Sequence, residues 1–374
     1  MTDRTRLPWG LRLLTLVAPT LVVGLLLLGV ELAVRASCRP ISSLEAFVRS
    51  ERQQAGFTDR RNVQIFEGDA LLFWRLKPDL RDAIWDFTLV STNAQRLRHR
   101  RPLRPKPPGS VRIVCLGDSV TFGYRVPLVF PDRRFARDPR QRPYPALVED
   151  WLRRANPSRR IEVVALAVPG YTSQQGLAWA RRDLDDLDPD ILTVCFGWND
   201  VDLREAPDRQ AMRMGATWAA LRRLLAGSQA LIRASLWLEA VAYRRGTGAL
   251  VPRVALGEYL GNHLEIARIA RSQGTRVVVI GPVYRDAVTQ PEEAVRVALY
   301  RRALRPCLRQ HGIPYLQIDA LTEAAYPENR RLFGEKIHPN HVGHRLLAEA
   351  LLDFLAEQGM LQMLSLSWTR ESAD

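Results

Sequence analysis

The amino-acid sequence predicts an α/β fold, a parallel sheet covered by helices on both faces and preceded by one N-terminal membrane helix. Three observations carry this. Strand-like and helix-like stretches alternate from residue 111 onward. Residues 13–30 form one charge-free apolar run. The composition, 47% hydrophobic and 25% charged, is that of a globular chain, and 374 residues accommodate one large domain with attachments.

Residues 1–12 read as a short tail and 13–34 as an anchor. The uncharged run LLTLVAPTLVVGLLLLGV spans about 27 Å as a helix, close to the thickness of a bilayer's hydrocarbon core. Arg12 and Glu31 flank it, where long side chains reach the interface. The run is apolar all round, unlike the single stripe of a core helix. The ELAVRASC that follows lacks the small-residue pattern of a cleaved signal peptide, and Arg35 and Ala36 spoil a lipoprotein site at Cys38. Basic residues nearly balance across the run, with Arg4, Arg6 and Arg12 before it and Arg35, Arg39, Arg49 and Arg52 after. The expectation is a single-pass anchor with a short tail inside and the large domain extracytoplasmic.

Residues 35–109 read as a connecting region. FWRLKPDL and WDFTLVSTN look like short extended pieces broken by Pro and Asn. Arg96 to Lys106 combines a basic cluster with Pro102 and Pro105, which suggests a stiff linker. The formal net charge is +14, and lysine occurs only at Lys77, Lys106 and Lys336. No basic block is interleaved with aromatics as stacking on nucleic acid requires, so no nucleic-acid partner is expected. Cys38, Cys115, Cys195 and Cys307 match no zinc spacing; Cys115 and Cys195 lie in apolar runs and read as buried small hydrophobes.

Residues 110–360 form the main domain. Strands are expected at 111–116, 161–166, 191–196, 276–280 and 314–318. Helices are expected at 144–155, 174–187, 256–272, 292–310 and 342–358. Residues 202–253 interrupt the alternation as a helical insertion, amphipathic over 217–243, and 361–374 are a tail.

Chemistry collects at the carboxyl ends of parallel strands. The first strand is followed by Gly117-Asp118-Ser119, the second by Val168-Pro169-Gly170 and the third by Gly197-Trp198-Asn199-Asp200. Beyond the fifth comes Glu335-Lys336-Ile337-His338-Pro339-Asn340. A serine on a tight turn needs a neighbouring base to become a nucleophile. His338 can serve, and a carboxylate three residues earlier can hold its tautomer. A backbone N–H beside a glycine and an asparagine amide are donors for an oxyanion. Ser119 could instead act as a helix cap, and Asn199 as a turn former. His338, His341 and His344 are spaced by three, but Pro339 and Asn340 interrupt the interval, Asn340 reads as a helix N-cap, and no metal or other cofactor is expected. Thr121 stands where the G-x-S-x-G elbow requires glycine, so that motif is excluded.

These four clusters, in this order, resemble the SGNH (GDSL) hydrolase family over about residues 111–357. The resemblance implies a flavodoxin-like three-layer α/β/α sandwich with five strands in the order 2-1-3-4-5. It implies a serine ester hydrolase working through an acyl-enzyme. Ser119 would be the nucleophile and His338 the general base. The Ser119 and Gly170 N–H groups and the Asn199 side chain would form the oxyanion hole. The family's usual triad aspartate is replaced by Glu335, with Asp319 a spare candidate. The single-span anchored architecture also resembles bacterial members, implying an O-acyl ester of an envelope carbohydrate or lipid as substrate. Two other readings use the same fold: an envelope O-acyltransferase, and an inactive binding module.

Overall fold

The computed structural model describes residues 9–41, 64–129 and 141–373, apart from 70, 100, 104, 205, 226 and 245–248. The expected tail before residue 9, part of the connecting region and part of the loop between residues 126 and 143 lie outside the described residues.

Helix α1 (Trp9–Ser37) contains the apolar run. Its segment Val17–Ser37 has a mean hydropathy of 2.3, is not buried against the rest of the protein, and is long and apolar enough to cross a membrane. Two antiparallel strand pairs follow, β1 (Phe66–Asp69) with β2 (Phe73–Leu76) and β3 (Ala83–Trp85) with β4 (Thr88–Val90). The linker expectation for residues 96–106 meets a different arrangement, because Arg96, Arg98 and Lys106 have partners. Arg98 donates to the carbonyls of Leu89 (2.8 Å), Val126 (3.0 Å) and Phe122. Arg96 pairs with Glu67 at 2.7 Å, Lys106 with Asp190 at 2.9 Å, and Leu97 and Leu103 are buried. The stretch is packed against the domain that follows.

That domain alternates as expected: β5 (Val111–Gly117), α2 (Ser119–Phe122), α3 (Tyr144–Ala155), β6 (Ile161–Ala167), α4 (Ser173–Leu187), β7 (Ile191–Cys195) and α5 (Trp198–Val201). The insertion follows, and after it come α8 (Leu256–Ser272), β10 (Arg276–Ile280), α9 (Pro291–Gln310), β11 (Tyr315–Leu316), α10 (His341–Glu357) and α11 (Met360–Met363). The five-stranded sheet is parallel, in the order β11-β10-β7-β5-β6. Every residue of β5 is buried, and the strand's two-residue period divides its side chains between two cores. Val114 and Leu116 pack with Leu177 of α4, Ile266 of α8 and Val297 of α9. Val111, Ile113 and Cys115 pack with Trp151 of α3 and Leu351 of α10. Two apolar faces covered by two helical layers give a three-layer α/β/α sandwich.

In the insertion, β8 (Leu203–Arg204) and β9 (Val251–Pro252) close an antiparallel neck. The helical part is two helices, α6 (Asp208–Leu224) and α7 (Gln229–Arg244). The break before α7 is fixed from outside. Glu31 of α1 accepts from the Ser228 hydroxyl (2.7 Å) and from the backbone N–H groups of Gln229 and Ala230 (2.9 Å each). A carboxylate on the free N–H groups of a helix start satisfies donors that no turn of helix can.

Candidate active site

The register of the sheet brings the sequence clusters together. Gly117 at the end of β5 is level with Ala167 on β6 and with Cys195 on β7. The turns that follow these strands therefore emerge side by side. The chain runs from β5 to β6 on one flank and returns to β7 on the other, so the site sits at the switch in strand order, where open α/β sheets bind ligands.

The first turn is tight because Gly117 has no side chain; a Cβ there would lie 2.1 Å from Thr121 Oγ1 and 2.9 Å from the Cys195 carbonyl. Asp118, not Ser119, caps α2, its carboxylate accepting from the Val120 N–H at 2.9 Å. The Ser119 hydroxyl is thus free of capping duty. His338 approaches from the far end of the chain, in a loop held at both flanks. Its carbonyl accepts from the Gly334 N–H (3.0 Å), and Asn340 caps α10 by accepting from Val342 and Gly343.

The two side chains meet. His338 Nε2 lies 2.7 Å from Ser119 Oγ. On the other edge of the ring, Nδ1 contacts Glu335 Oε1. The same oxygen accepts from the His338 backbone N–H at 3.2 Å, and Oε2 from the Lys336 N–H at 2.9 Å. Burial alone would raise the Glu335 carboxyl, but the hydrogen bond and charge of His338 hold it below the usual carboxylate range. The carboxylate against His338 is Glu335; Asp319 opens a separate 3-10 turn, Asp319–Leu321.

Gly170 has φ +85, and the Tyr171 N–H returns to the Val168 carbonyl at 3.3 Å. Proline second and a positive-φ glycine third is the pattern of a type II turn. Asn199 Nδ2 donates to the Tyr171 carbonyl at 2.9 Å and, more weakly, to Asp118 Oδ2 at 3.4 Å. Beneath lie two acids. Burial pushes both Asp118 and Asp200 up to about 7, and each Asp200 contact is structural: its Oδ1 accepts from the Ser173 N–H and hydroxyl.

Several neighbours carry no motif signal. Tyr124 stands with its ring centroid 4.3 Å from that of His338, and its hydroxyl donates to Asp86 at the β3–β4 turn. Arg125 pairs with the same carboxylate at 3.2 Å. Trp74 of β2 donates to the Pro169 carbonyl, and Arg253, beside the insertion's neck, donates to the Gly170 carbonyl. Trp74, Asp86 and Arg253 come from regions read as connector and insertion, Tyr124 and Arg125 from the stretch just after the Ser119 helix, and no local sequence pattern ties them to the site. His344 is buried in the core, where desolvation lowers it to about 3, and its Nδ1 accepts from the Tyr144 N–H. Among the described residues no group of three or more His, Cys, Asp or Glu side chains is arranged to hold a metal ion.

A serine turn, a histidine in contact with it and backed by a carboxylate, and a glycine turn beside an asparagine define the class of ester-cleaving α/β enzymes. Residues 115–346 match the model of the GDSL-like lipase/acylhydrolase family, and the chain belongs to that family of carboxylic ester hydrolases. Among curated proteins none matches the chain. Similar solved structures include a lipase/acylhydrolase from Enterococcus faecalis, at 18% identity and TM-score 0.41, covering 66% of this chain and 96% of that one. An acetylxylan esterase, Axe2 from Geobacillus stearothermophilus, is 19% identical with TM-score 0.42, covering 66% and 95%.

Proposed function

We propose that this protein hydrolyses an O-acyl ester through a covalent acyl-enzyme on Ser119. The observation that carries the reading is the continuous contact from Ser119 Oγ to His338 and on to Glu335. The hydroxyl attacks the ester carbonyl as His338 Nε2 takes its proton, and Glu335 holds Nδ1–H and stabilises the imidazolium. The tetrahedral oxyanion lies against the N–H groups of Ser119 and Gly170 and the Asn199 amide, which keeps its bond to the Tyr171 carbonyl and exchanges its longer one to Asp118 Oδ2 (3.4 Å) for the oxyanion. The imidazolium returns its proton to the departing alkoxide. Water, deprotonated by the same nitrogen, then releases the acid and restores Ser119.

The substrate proposed is an acylated carbohydrate or lipid of the cell envelope. The support is the segment Val17–Ser37, about 31 Å of apolar helix and thus of membrane-spanning length. As an anchor it would hold the domain, extracytoplasmic in this reading, close to envelope polymers and lipids.

The test is labelling of the full-length protein with a fluorescent alkyl phosphonate that reacts with activated serines. Wild type is expected to be labelled and to hydrolyse a short-chain aryl ester, and Ser119→Ala to do neither. Equal labelling of both proteins would refute the assignment. Running the same reaction with added glycan separates hydrolysis, which yields free acid, from transfer, which moves the acyl group to sugar.

A further inference from the structure

The peptide between Pro169 and Gly170 is the one whose N–H serves as an oxyanion donor in the reading above, on which this inference rests. The turn's own sequence does not fix which way that peptide faces. Type I and type II turns differ chiefly by a flip of this central peptide, and proline second with glycine third is compatible with both, since glycine adopts either sign of φ. In the flipped state the N–H would point away from Ser119 and the carbonyl oxygen, a negative dipole, would turn towards the developing oxyanion.

Two side chains hold the observed state, one on each carbonyl that flanks the Gly170 residue. Trp74 Nε1–H donates to the Pro169 carbonyl at 3.2 Å, in buried surroundings. In a trans peptide C=O and N–H point in opposite directions, so anchoring the Pro169 oxygen on the β2 side directs the Gly170 N–H the other way. The indole is itself held. Its ring packs edge-on to Tyr171 at 5.6 Å, and the Tyr171 hydroxyl returns to the Trp74 carbonyl. On the next peptide, Arg253 Nη1 donates to the Gly170 carbonyl at 2.8 Å. Its guanidinium is fixed by buried Asp208, at 3.0 Å from Nε and 2.9 Å from Nη2, while Thr172 donates to the same carboxylate at 2.7 Å.

We infer that Trp74 and Arg253 are positioning residues that lock the 168–171 turn with the Gly170 N–H facing Ser119. Trp74 lies outside the family-matched residues 115–346 and Arg253 at the end of the insertion, so two additions to the family core complete the donor set. A hydrogen bond on the carbonyl also polarises the peptide and strengthens its N–H as a donor.

The test is Trp74→Phe in the full-length protein, which removes the indole N–H and keeps an aromatic ring against Tyr171. Titration with the phosphonate counts competent serines first. Expected is a roughly tenfold fall in kcat, smaller than the roughly 100- to 1000-fold loss on removing a donor outright. KM and the shape of the pH–rate profile should be unchanged, because substrate contacts and proton transfer are untouched. Binding of a boronic acid, which forms a tetrahedral adduct on the serine, should weaken by the same factor as kcat. Arg253→Lys, which keeps a cation for Asp208 but cannot bridge it to Gly170, should show the same split between kcat and KM. A wild-type-like kcat and boronate affinity in Trp74→Phe would overturn the inference, as would a loss shared equally with thermal stability and the titrated active fraction. Failure of wild type to label would refute the Ser119 assignment, and this inference with it.

Discussion

His338 Nε2 and Ser119 Oγ, 219 positions apart in the chain, stand 2.7 Å from one another. Glu335, three residues before the histidine, takes the other ring nitrogen. Both its oxygens accept: Oε1 from the imidazole and the His338 N–H, and Oε2 from the Lys336 N–H. A glutamine must turn its amide donor towards one of these donors. Glu335→Gln is therefore expected to lower kcat by about 100- to 1000-fold, somewhat less than the roughly 10⁴-fold known for an aspartate-to-asparagine change in a buried triad. Glu335→Asp should retain more activity. Steady-state kinetics on an aryl ester check both, and equal rates for Glu335→Gln and wild type would remove the carboxylate from the mechanism.

Asn199→Ala removes the side-chain donor while leaving the backbone donors. The expected loss is about 2.7–4 kcal/mol of transition-state stabilisation, seen in kcat with KM little altered. A rise in KM at constant kcat would instead make Asn199 a ground-state binding group.

Asp200 predicts a pH-dependent stability. Its carboxyl is raised to about 7 by burial, above the value of about 3.9 in an unfolded chain. The folded state then holds the proton more tightly, so this group's contribution to stability is full at low pH and falls as pH rises from about 4 through 7. Asp200→Asn keeps an acceptor for Ser173 and removes the titration. The variant's melting temperature relative to wild type should increase between pH 5 and pH 8. A constant difference across that range would refute the shift.

Arg112 tests the scaffold under the site. It lies on β5, fully buried, with Nη2 at 2.6 Å from Glu162 and Nη1 donating to the Leu187 carbonyl at 2.5 Å. Arg112→Met leaves buried Glu162 with only the exposed Arg160 at 3.5 Å and takes the donor from the Leu187 carbonyl, and should destabilise the protein by about 3–5 kcal/mol, measurable as a lowered urea midpoint. Arg112→Met with Glu162→Leu should recover only part of this, because an apolar pair replaces the buried ion pair at little net cost while the Leu187 and Leu103 carbonyls still lose their donor.

The positions of the motifs relative to the strands were legible locally. β5 is a continuous buried run ending in glycine, and Asn340 announces the start of α10 by its capping chemistry. The reading of residues 96–106 as a linker failed for a physical reason. Proline and arginine look alike in a solvated spacer and in a segment whose guanidinium groups are satisfied by distant carbonyls, as Arg98 is by Leu89 and Val126. The division of the insertion into α6 and α7 was likewise hidden, because Glu31, nearly two hundred residues away, completes the cap.

By itself the sequence determined the alternation of strands and helices, the apolar N-terminal helix, and which residue types stand at the carboxyl ends of the strands, because periodicity, turn chemistry and capping act over a few residues. Only the tertiary structure decided that Trp74 and Arg253 grip the Gly170 turn and that Asp86 steadies Tyr124 beside His338. Such contacts depend on the direction of a single hydrogen bond between segments far apart in the chain, and direction in space is not written in the order of residues.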